Sequence, residues 1–348
     1  MTEFLTDYGL FLAKAVTVVF AVLVIISMGV AASMKNRRPE KGEIKVKYLN
    51  DEFEEMEFIL KETVLTKEQW KAEEKALKKK EKEEEKARKE GREKIKRRIY
   101  VLNFDGDEHA SQTESFAKEV SAVLTMATPQ DEVVVRLESP GGIVHEYGYA
   151  ASLIDRFVRA NIPLLVCVDK VAASGGYLMA CVANRILAAP FAIVGSVGVV
   201  ASVPNFNRLL KKNDVDYSIY TAGQYKRTVT MLGEITEEGK KKFQEELEDT
   251  HVLFKNFVST HRKVVDIDRI ATGEYWYGER AKELKLVDEI MTSDEYLFAA
   301  RNDADIFEVT YEIKKNIAEK FGFAMQASLE AVWLKIWRQI IRPSNNIH

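Results

Sequence analysis

From residue 99 onward, short apolar runs alternate with segments whose apolar residues recur at helical spacing. Residues 99–104 (IYVLNF), 132–138 (EVVVRLE) and 163–169 (PLLVCVD) have strand length and are rich in β-branched and aliphatic side chains. Between them, 114–128 puts Phe116, Val120, Val123 and Leu124 on one helical face, and 147–160 reads as a second helix. Nearly continuous apolar strands separated by helices specify βαβ units and a parallel sheet covered on both faces. The fold class is therefore α/β. Residues 185–201 are apolar enough to resemble a membrane span, but Pro190, Gly195 and Gly198 interrupt them and Arg185 opens them, so they read as strand–turn–strand. A further strand is expected at 215–221 (VDYSIYT), and a long helix at 236–262, opened by the cap-like Thr236-Glu237-Glu238-Gly239.

The flanks have a different character. Residues 15–34 run for 20 positions without a charge. At about 1.5 Å per residue a helix of that length spans a bilayer core of about 30 Å. Glu3 and Asp7 precede this run and its length exceeds that of a signal-peptide core, so residues 1–34 read as a retained single-pass anchor. Lys35, Arg37, Arg38, Lys41, Lys45 and Lys47 follow the span, against Lys14 before it, which by the positive-inside rule puts the rest of the chain in the cytoplasm.

Residues 35–98 form a charged helical or linker region. Within 67–98, 15 Lys+Arg and 9 Glu leave little to bury, so this stretch reads as a solvated helix with i,i+4 pairs or as a linker. Just before it, 51–62 carries Phe53, Met56, Ile59 and Leu60 at helical spacing, a short amphipathic helix. The domain proper is bounded at 99–300. The segment 301–348 is a tail whose helix, 313–341, mixes Trp333, Trp337 and aliphatic residues with lysines; it suits packing on its own or a neighbouring subunit or lying in a membrane interface.

Composition narrows the function classes. Lys+Arg 51 against Asp+Glu 54 gives net −3, without the basic surplus of a nucleic-acid binder. The two cysteines, Cys167 and Cys181, sit in apolar stretches and read as buried thiols. The five histidines show no HExxH pattern, and no CxxC occurs, so no metal site is expected.

Two glycine-rich turns remain as places for chemistry. Ala172-Ala173-Ser174-Gly175-Gly176-Tyr177 joins the strand at 163–169 to an apolar helix. A serine there sits at the C-terminal edge of a parallel sheet and at a helix N-terminus, where free N–H groups favour negative charge. Ser174 is a nucleophile or a helix cap, and Gly175 N–H is half of an oxyanion hole. Ser139-Pro140-Gly141-Gly142 ends the neighbouring strand, where Gly141 N–H offers a second donor. None of His109, His145, His251, His261 or His348 is placed as a triad needs. A lysine serves as base when desolvation draws its pKa from about 10.4 toward 7. Lys226, in Ala222-Gly223-Gln224-Tyr225-Lys226-Arg227-Thr228, is one candidate, and Lys170 is another that spacing does not exclude.

Taken in order, Ser-Pro-Gly-Gly at 139–142, Ala-Ala-Ser-Gly-Gly-Tyr at 172–177, Gly-Ser-Val-Gly at 195–198 and Gly-Gln-Tyr-Lys-Arg at 223–227 resemble the signal peptide peptidase A family of serine peptidases, in the Clp protease/crotonase superfamily. The resemblance implies that 99–300 is a serine peptidase domain with a ClpP/crotonase-like core. It implies a Ser174–Lys226 dyad, Ser196 as a lysine-orienting hydroxyl, and Gly141 and Gly175 as oxyanion donors. No cofactor or metal is implied. Substrates would be hydrophobic peptides or unfolded or signal-peptide-like segments, and the partners are the bilayer and further copies of the chain, with a site shared between subunits. The location implied is the bacterial inner membrane with the site on the outer face, which conflicts with the positive flank after the span. Lys285 departs from the family pattern, which has Gly there at a helix end. The alternatives are a crotonase-type acyl-CoA enzyme on the same fold, and a membrane scaffold with a vestigial site.

Overall fold

The computed structural model describes residues 9–10, 14, 16–17, 42–90 and 96–313. Contacts divide the chain into residues 44–311 and a second unit made of 1–43 and 312–348. Apart from residues 16 and 17, the expected span at 15–34 lies outside the described residues, as does the expected tail helix beyond residue 313. Among the described residues no helix is long and apolar enough to cross a membrane.

The alternating pattern becomes a run of β2 (Arg97–Asp105), α3 (Thr113–Leu124), β3 (Glu132–Glu138), α4 (Val144–Arg159) and β4 (Leu164–Val168). Ahead of it come β1 (Glu43–Tyr48), α1 (Leu49–Val64) and α2 (Lys67–Lys89). After it come β5 (Val171–Ala173), α5 (Gly175–Ala180), β6 (Arg185–Ala188), β7 (Ile193–Gly195), α6 (Asn207–Lys212) and α7 (Glu237–His261). The described chain closes with α8 (Ile267–Ile270), β8 (Tyr275–Tyr277), α9 (Gly278–Glu283), β9 (Glu289–Ile290), α10 (Ser293–Ala300) and β10 (Ala304–Glu312).

Seven strands form the main sheet in the order β1-β10-β2-β3-β4-β6-β9, and the pairings from β10 across to β9 are parallel. Strand periodicity sorts the core. Val133, Val135 and Leu137 face one cluster with Phe116, Val120, Ile154 and Phe157 of α3 and α4. Val134, between them, faces the other cluster with Leu49 and Leu297 of α1 and α10. Side chains alternate across a strand, so a run apolar at every position is stable only when both faces are covered. Each fully buried aliphatic or aromatic side chain contributes about 1.5–3 kcal/mol, which makes this sheet the main source of stability.

The sheet extends past both expected domain bounds, 99 and 300: β1 joins it from ahead of residue 99, and β10, within the expected tail 301–348, pairs with β2 because it supplies the next parallel strand. Asn50 is buried; its Nδ2 donates to the carbonyls of Arg301 (2.8 Å) and Ala304 (2.9 Å), and its Oδ1 accepts from Ile306 N–H at 2.8 Å. One side chain thus satisfies three backbone groups at the start of β10 and fixes α1 against it. Of the expected apolar face of α1, Phe53 packs edge-on against Phe298, whereas Met56, Ile59 and Leu60 stay exposed. α2 carries ion pairs such as Lys78–Glu74 on an exposed surface.

Two expectations differ from what forms. Residues 215–221 are unpaired, with Val215, Tyr217, Ile219 and Tyr220 exposed. Their alternation is that of a strand, but they pair with no strand among the described residues. The second difference is β5. The chain leaves β4 at Asp169 and enters a second, three-stranded sheet, β5-β7-β8, before reaching the serine turn. The expected cap of the long helix forms, with Thr236 Oγ1 accepting from Gly239 N–H at 3.0 Å.

Lys285 follows α9 at φ 61°, the left-handed position at which helices favour glycine. Leu286 N–H donates to Ala281 O at 2.8 Å and Lys285 N–H to Lys282 O at 2.9 Å, the paired bonds of a Schellman ending. The lysine is held there because Arg262, buried, donates to Lys285 O (2.9 Å) and to the Asp288 carboxylate. Lys285→Gly is expected to raise stability by about 0.5–1 kcal/mol by removing the left-handed strain, read as a higher denaturation midpoint with unchanged slope.

A buried carboxyl gives a second prediction. Glu119 of α3 accepts Tyr311 N–H at 2.7 Å through Oε1, while its buried Oε2 has no partner among the described residues. Burial pushes it well above the usual carboxylate range, to about 7. A group raised in the folded state adds stability that is full below its unfolded value and is lost as pH rises through the folded one. Urea unfolding is expected to show a loss on the order of 2 kcal/mol between about pH 5 and pH 8 that Glu119→Gln abolishes.

Candidate active site

Three strand ends converge on one point. β3 ends at Glu138, and Ser139 continues as a parallel bridge to Ala172 of β5. Ser139 N–H donates to Val171 O at 2.8 Å and Ala173 N–H donates to Ser139 O at 3.0 Å. β5 pairs in parallel with β7, matching Ala173 to Gly195. The chain then turns at Ser174, whose N–H donates to Gly195 O at 2.8 Å. The 139–142 turn, the 174–176 turn and the 195–196 turn are thereby locked side by side.

Ser174 has φ 51° and ψ −117°, a conformation costly for a residue with a Cβ by about 1–3 kcal/mol. It is half-buried and precedes α5 without making a side-chain cap. A serine held this way at a strand-to-helix turn projects its hydroxyl away from the backbone, the geometry of a nucleophile elbow. Gly175 opens α5, so its N–H has no intrahelical acceptor. A Cβ on Gly175 would collide with the Tyr147 ring.

Gly141 lies against the same turn. At φ +86°, a Cβ there would stand 2.7 Å from Ala173 O, Gly175 N and Ser174 Cβ. Its N–H donates to Ser139 Oγ at 3.0 Å and is therefore engaged. The next N–H, of Gly142, has no acceptor among the described residues. Ser196, at φ 53°, is half-buried and fixed by its N–H to Glu274 O at 2.7 Å. The structure thus brings Ser174, Gly175, Gly141 and the backbone beside Ser196 together.

No backbone hydrogen bond among the described residues ties Lys226 to these turns. It is exposed, in a turn where its N–H donates to Gly223 O at 3.2 Å, and its side chain makes no hydrogen bond or ion pair among the described residues. The turn rests on α7 through Gln224 Nε2 to Glu238 Oε1, 3.0 Å. The segment around it presents Val200, Tyr217, Ile219, Tyr220 and Tyr225 to solvent. Lys170, the other candidate, pairs with Glu138 at 2.7 Å. That hydrogen bond holds its ammonium above the usual lysine range, the reverse of what a base requires. Cys167 and Cys181 are buried, and burial pushes both thiols up. Among the described residues no cluster of His, Cys, Asp and Glu is arranged to hold a metal.

Sequence reasoning missed Ser139 and Tyr147. Both are fully buried and stand directly behind the glycine turns. The start of helix 147–160 hid Tyr147 among core residues, and Ser139 looked like a turn residue.

Gly141→Ala is expected to fold poorly or to shift the serine turn, because the new methyl meets the backbone at Ala173 O and Gly175 N and the Cβ of Ser174, none of which is the far end of a flexible side chain. A loss of at least about 2 kcal/mol in chemical denaturation would record it.

The chain matches peptidase family S49 over residues 156–306 and the N-terminal region of that family over 3–154. It is 50% identical over 329 residues to a probable protease SohB of Haemophilus influenzae, covering 92% of this chain and 93% of that one. A probable protease SohB of Buchnera aphidicola is 43% identical over 304 residues, covering 85% and 99%. A solved structure of the 1510-N membrane-bound stomatin-specific protease in complex with a substrate peptide aligns at TM-score 0.39 and 12% identity, covering 66% of this chain and 97% of that one. With identity of this order along nearly its whole length, and with both regions of the family matched, the chain belongs to peptidase family S49.

Proposed function

We propose that this chain is a serine endopeptidase in which Ser174 Oγ is the nucleophile and Lys226 Nζ the general base. The observation that carries the reading is the strained Ser174 turn, φ 51°, set between the first N–H groups of α5, which have no intrahelical acceptor, and the Gly141 turn. Backbone strain at a polar residue beside unpaired donors has a use when a hydroxyl must be presented to an electrophile.

In this reading Ser174 Oγ attacks the scissile carbonyl as its proton passes to a neutral lysine amine. The developing oxyanion is held by Gly175 N–H and by the 141–142 turn. Gly141 N–H is engaged with Ser139, so the free donor of that turn is Gly142 N–H, and Gly141 supplies the positive φ. The lysine then protonates the leaving amine, and water hydrolyses the acyl-enzyme. Ser196 is assigned the hydroxyl that orients the lysine.

Lys226 stands exposed within one copy, and a lysine serves as a base where it is enclosed away from water. The exposed, unpaired 215–221 segment and the tyrosines near Lys226 are the surface a second copy would cover, so we assign a homo-oligomer with the base and nucleophile shared between copies. The core is read as ClpP/crotonase-like. Residues 15–34 are assigned a single-pass anchor in the bacterial inner membrane, ahead of the charged region; the peptidase domain expected at 99–300 is extended by β1, α1 and β10, which belong to its sheet and core. A membrane tether suits hydrophobic or signal-peptide-like substrates, which concentrate at a bilayer.

Ser174→Ala and Lys226→Ala are each expected to lower peptide hydrolysis by about 10³-fold or more with an unchanged fold by circular dichroism. Mixing and co-refolding the two inactive variants should restore part of the activity if the base is supplied by a neighbour. Full activity in either purified variant overturns the dyad, and a mixture as dead as its components overturns the shared site.

A further inference from the structure

Behind the two glycine turns, four groups form a continuous hydrogen-bonded chain. Gly141 N–H donates to Ser139 Oγ at 3.0 Å. Ser139 Oγ lies 2.5 Å from Tyr147 Oη. Tyr147 Oη donates to the carbonyl of Asp107 at 2.6 Å. A phenol has one proton, and here it goes to Asp107 O, so the proton between the hydroxyls belongs to Ser139. The direction is then fixed throughout: Gly141 N–H to Ser139, Ser139 O–H to Tyr147, Tyr147 O–H to Asp107. Burial pushes the Tyr147 phenol up, which keeps its proton in place.

Each hydroxyl gives one hydrogen bond and receives one, inside a core where both residues are fully buried. The chain also reaches both turns that carry the proposed oxyanion donors. At one end it holds the Pro140–Gly141 peptide plane, the fixed base from which the Gly141–Gly142 peptide and its N–H extend. At the same time the Tyr147 ring walls Gly175 so closely that a Cβ there has no room. Gly106 is pressed onto the same pair, with Tyr147 Oη 2.5 Å and Ser139 Oγ 2.8 Å from where its Cβ would stand. A core tyrosine needs one acceptor for its hydroxyl, and Asp107 O supplies it. The second contact, to Ser139, does nothing for burial of the ring, but it transmits the position of α4 to the 141–142 turn.

We propose that Tyr147 and Ser139 are positioning residues that set the oxyanion donors of the 141–142 turn and of Gly175 through this relay. The inference rests on the reading of Ser174 as nucleophile. An oxyanion forms only in the transition state, so loosening its donors lowers kcat and leaves KM in place.

Tyr147→Phe keeps the ring and deletes the relay. In the full-length enzyme it is expected to lower kcat by roughly 10- to 100-fold with KM within about twofold of the parent. Affinity for a peptide aldehyde, which binds as a tetrahedral adduct, should fall by the same factor. Ser139→Ala should do the same, and the double variant should be no worse than either single one, since one chain is cut in each. If Tyr147→Phe does not fold, Ser139→Ala alone carries the same readouts. An unchanged kcat overturns the proposal, as does a fall in kcat accompanied by an equal loss of ground-state peptide binding. Fluorophosphonate labelling separates the two levels. Absence of label on Ser174 in the parent enzyme overturns the nucleophile assignment and the relay with it, whereas parental labelling with an undiminished rate in Tyr147→Phe overturns the relay alone.

Discussion

The site depends on a single bridged residue. Ser139 leaves the main sheet at the end of β3 and pairs with Ala172 of the second sheet, donating to Val171 O and accepting from Ala173 N–H. This is the junction between the seven-stranded and the three-stranded sheet. The glycine turn that follows Ser139 and the serine turn that follows Ala173 are therefore held in register by main-chain bonds, which do not depend on side-chain packing. Ser174 N–H to Gly195 O adds the third turn. Moving any one of these strands moves all three turns together.

The stability of the molecule and the strain of the site are separated in space. The large buried side chains lie on the two faces of the main sheet, while the positive-φ residues Ser174, Ser196, Gly141 and Gly195 cluster where the second sheet meets it. A rigid, doubly covered sheet tolerates several such conformations at one rim because the surrounding backbone bonds over-determine them. The same logic explains Lys285. Its left-handed backbone is held by Arg262, which reaches from the end of α7 to Lys285 O and to Asp288, and Asp288 in turn accepts Ile186 N–H at 2.7 Å. A helix ending that would ordinarily want glycine is fixed by a buried guanidinium instead.

The strands and helices between residues 97 and 168 could be read directly, because each carries a local period and a local boundary. Glu132–Glu138 forms as expected, and the Thr236 cap starts α7 as expected. The serine turn was also legible as a place, since glycine pairs and a strand-to-helix junction are local signals. Legibility failed where a feature depends on what comes to lie next to it. Residues 215–221 alternate like a strand, but pairing needs a partner edge, and none of the described strands supplies one. Tyr147 has no local sign distinguishing it from other apolar helix positions, because its role comes from Ser139, eight residues earlier, and from Asp107, forty residues earlier.

By itself the amino-acid order determined the α/β class, the parallel run, the two glycine turns and the family, since these follow from hydrophobic period, backbone permissiveness and residue identity. Tertiary structure alone decided that Ser139, Ser174 and Gly195 share one rim, that Gly141 N–H is already engaged, that Lys170 is tied to Glu138 and that Lys226 stands exposed. The reason is physical. Periodicity and turn preference act over a few residues, whereas the partner of a hydrogen bond or a charge is chosen by the packing of strands that the chain brings together from a distance.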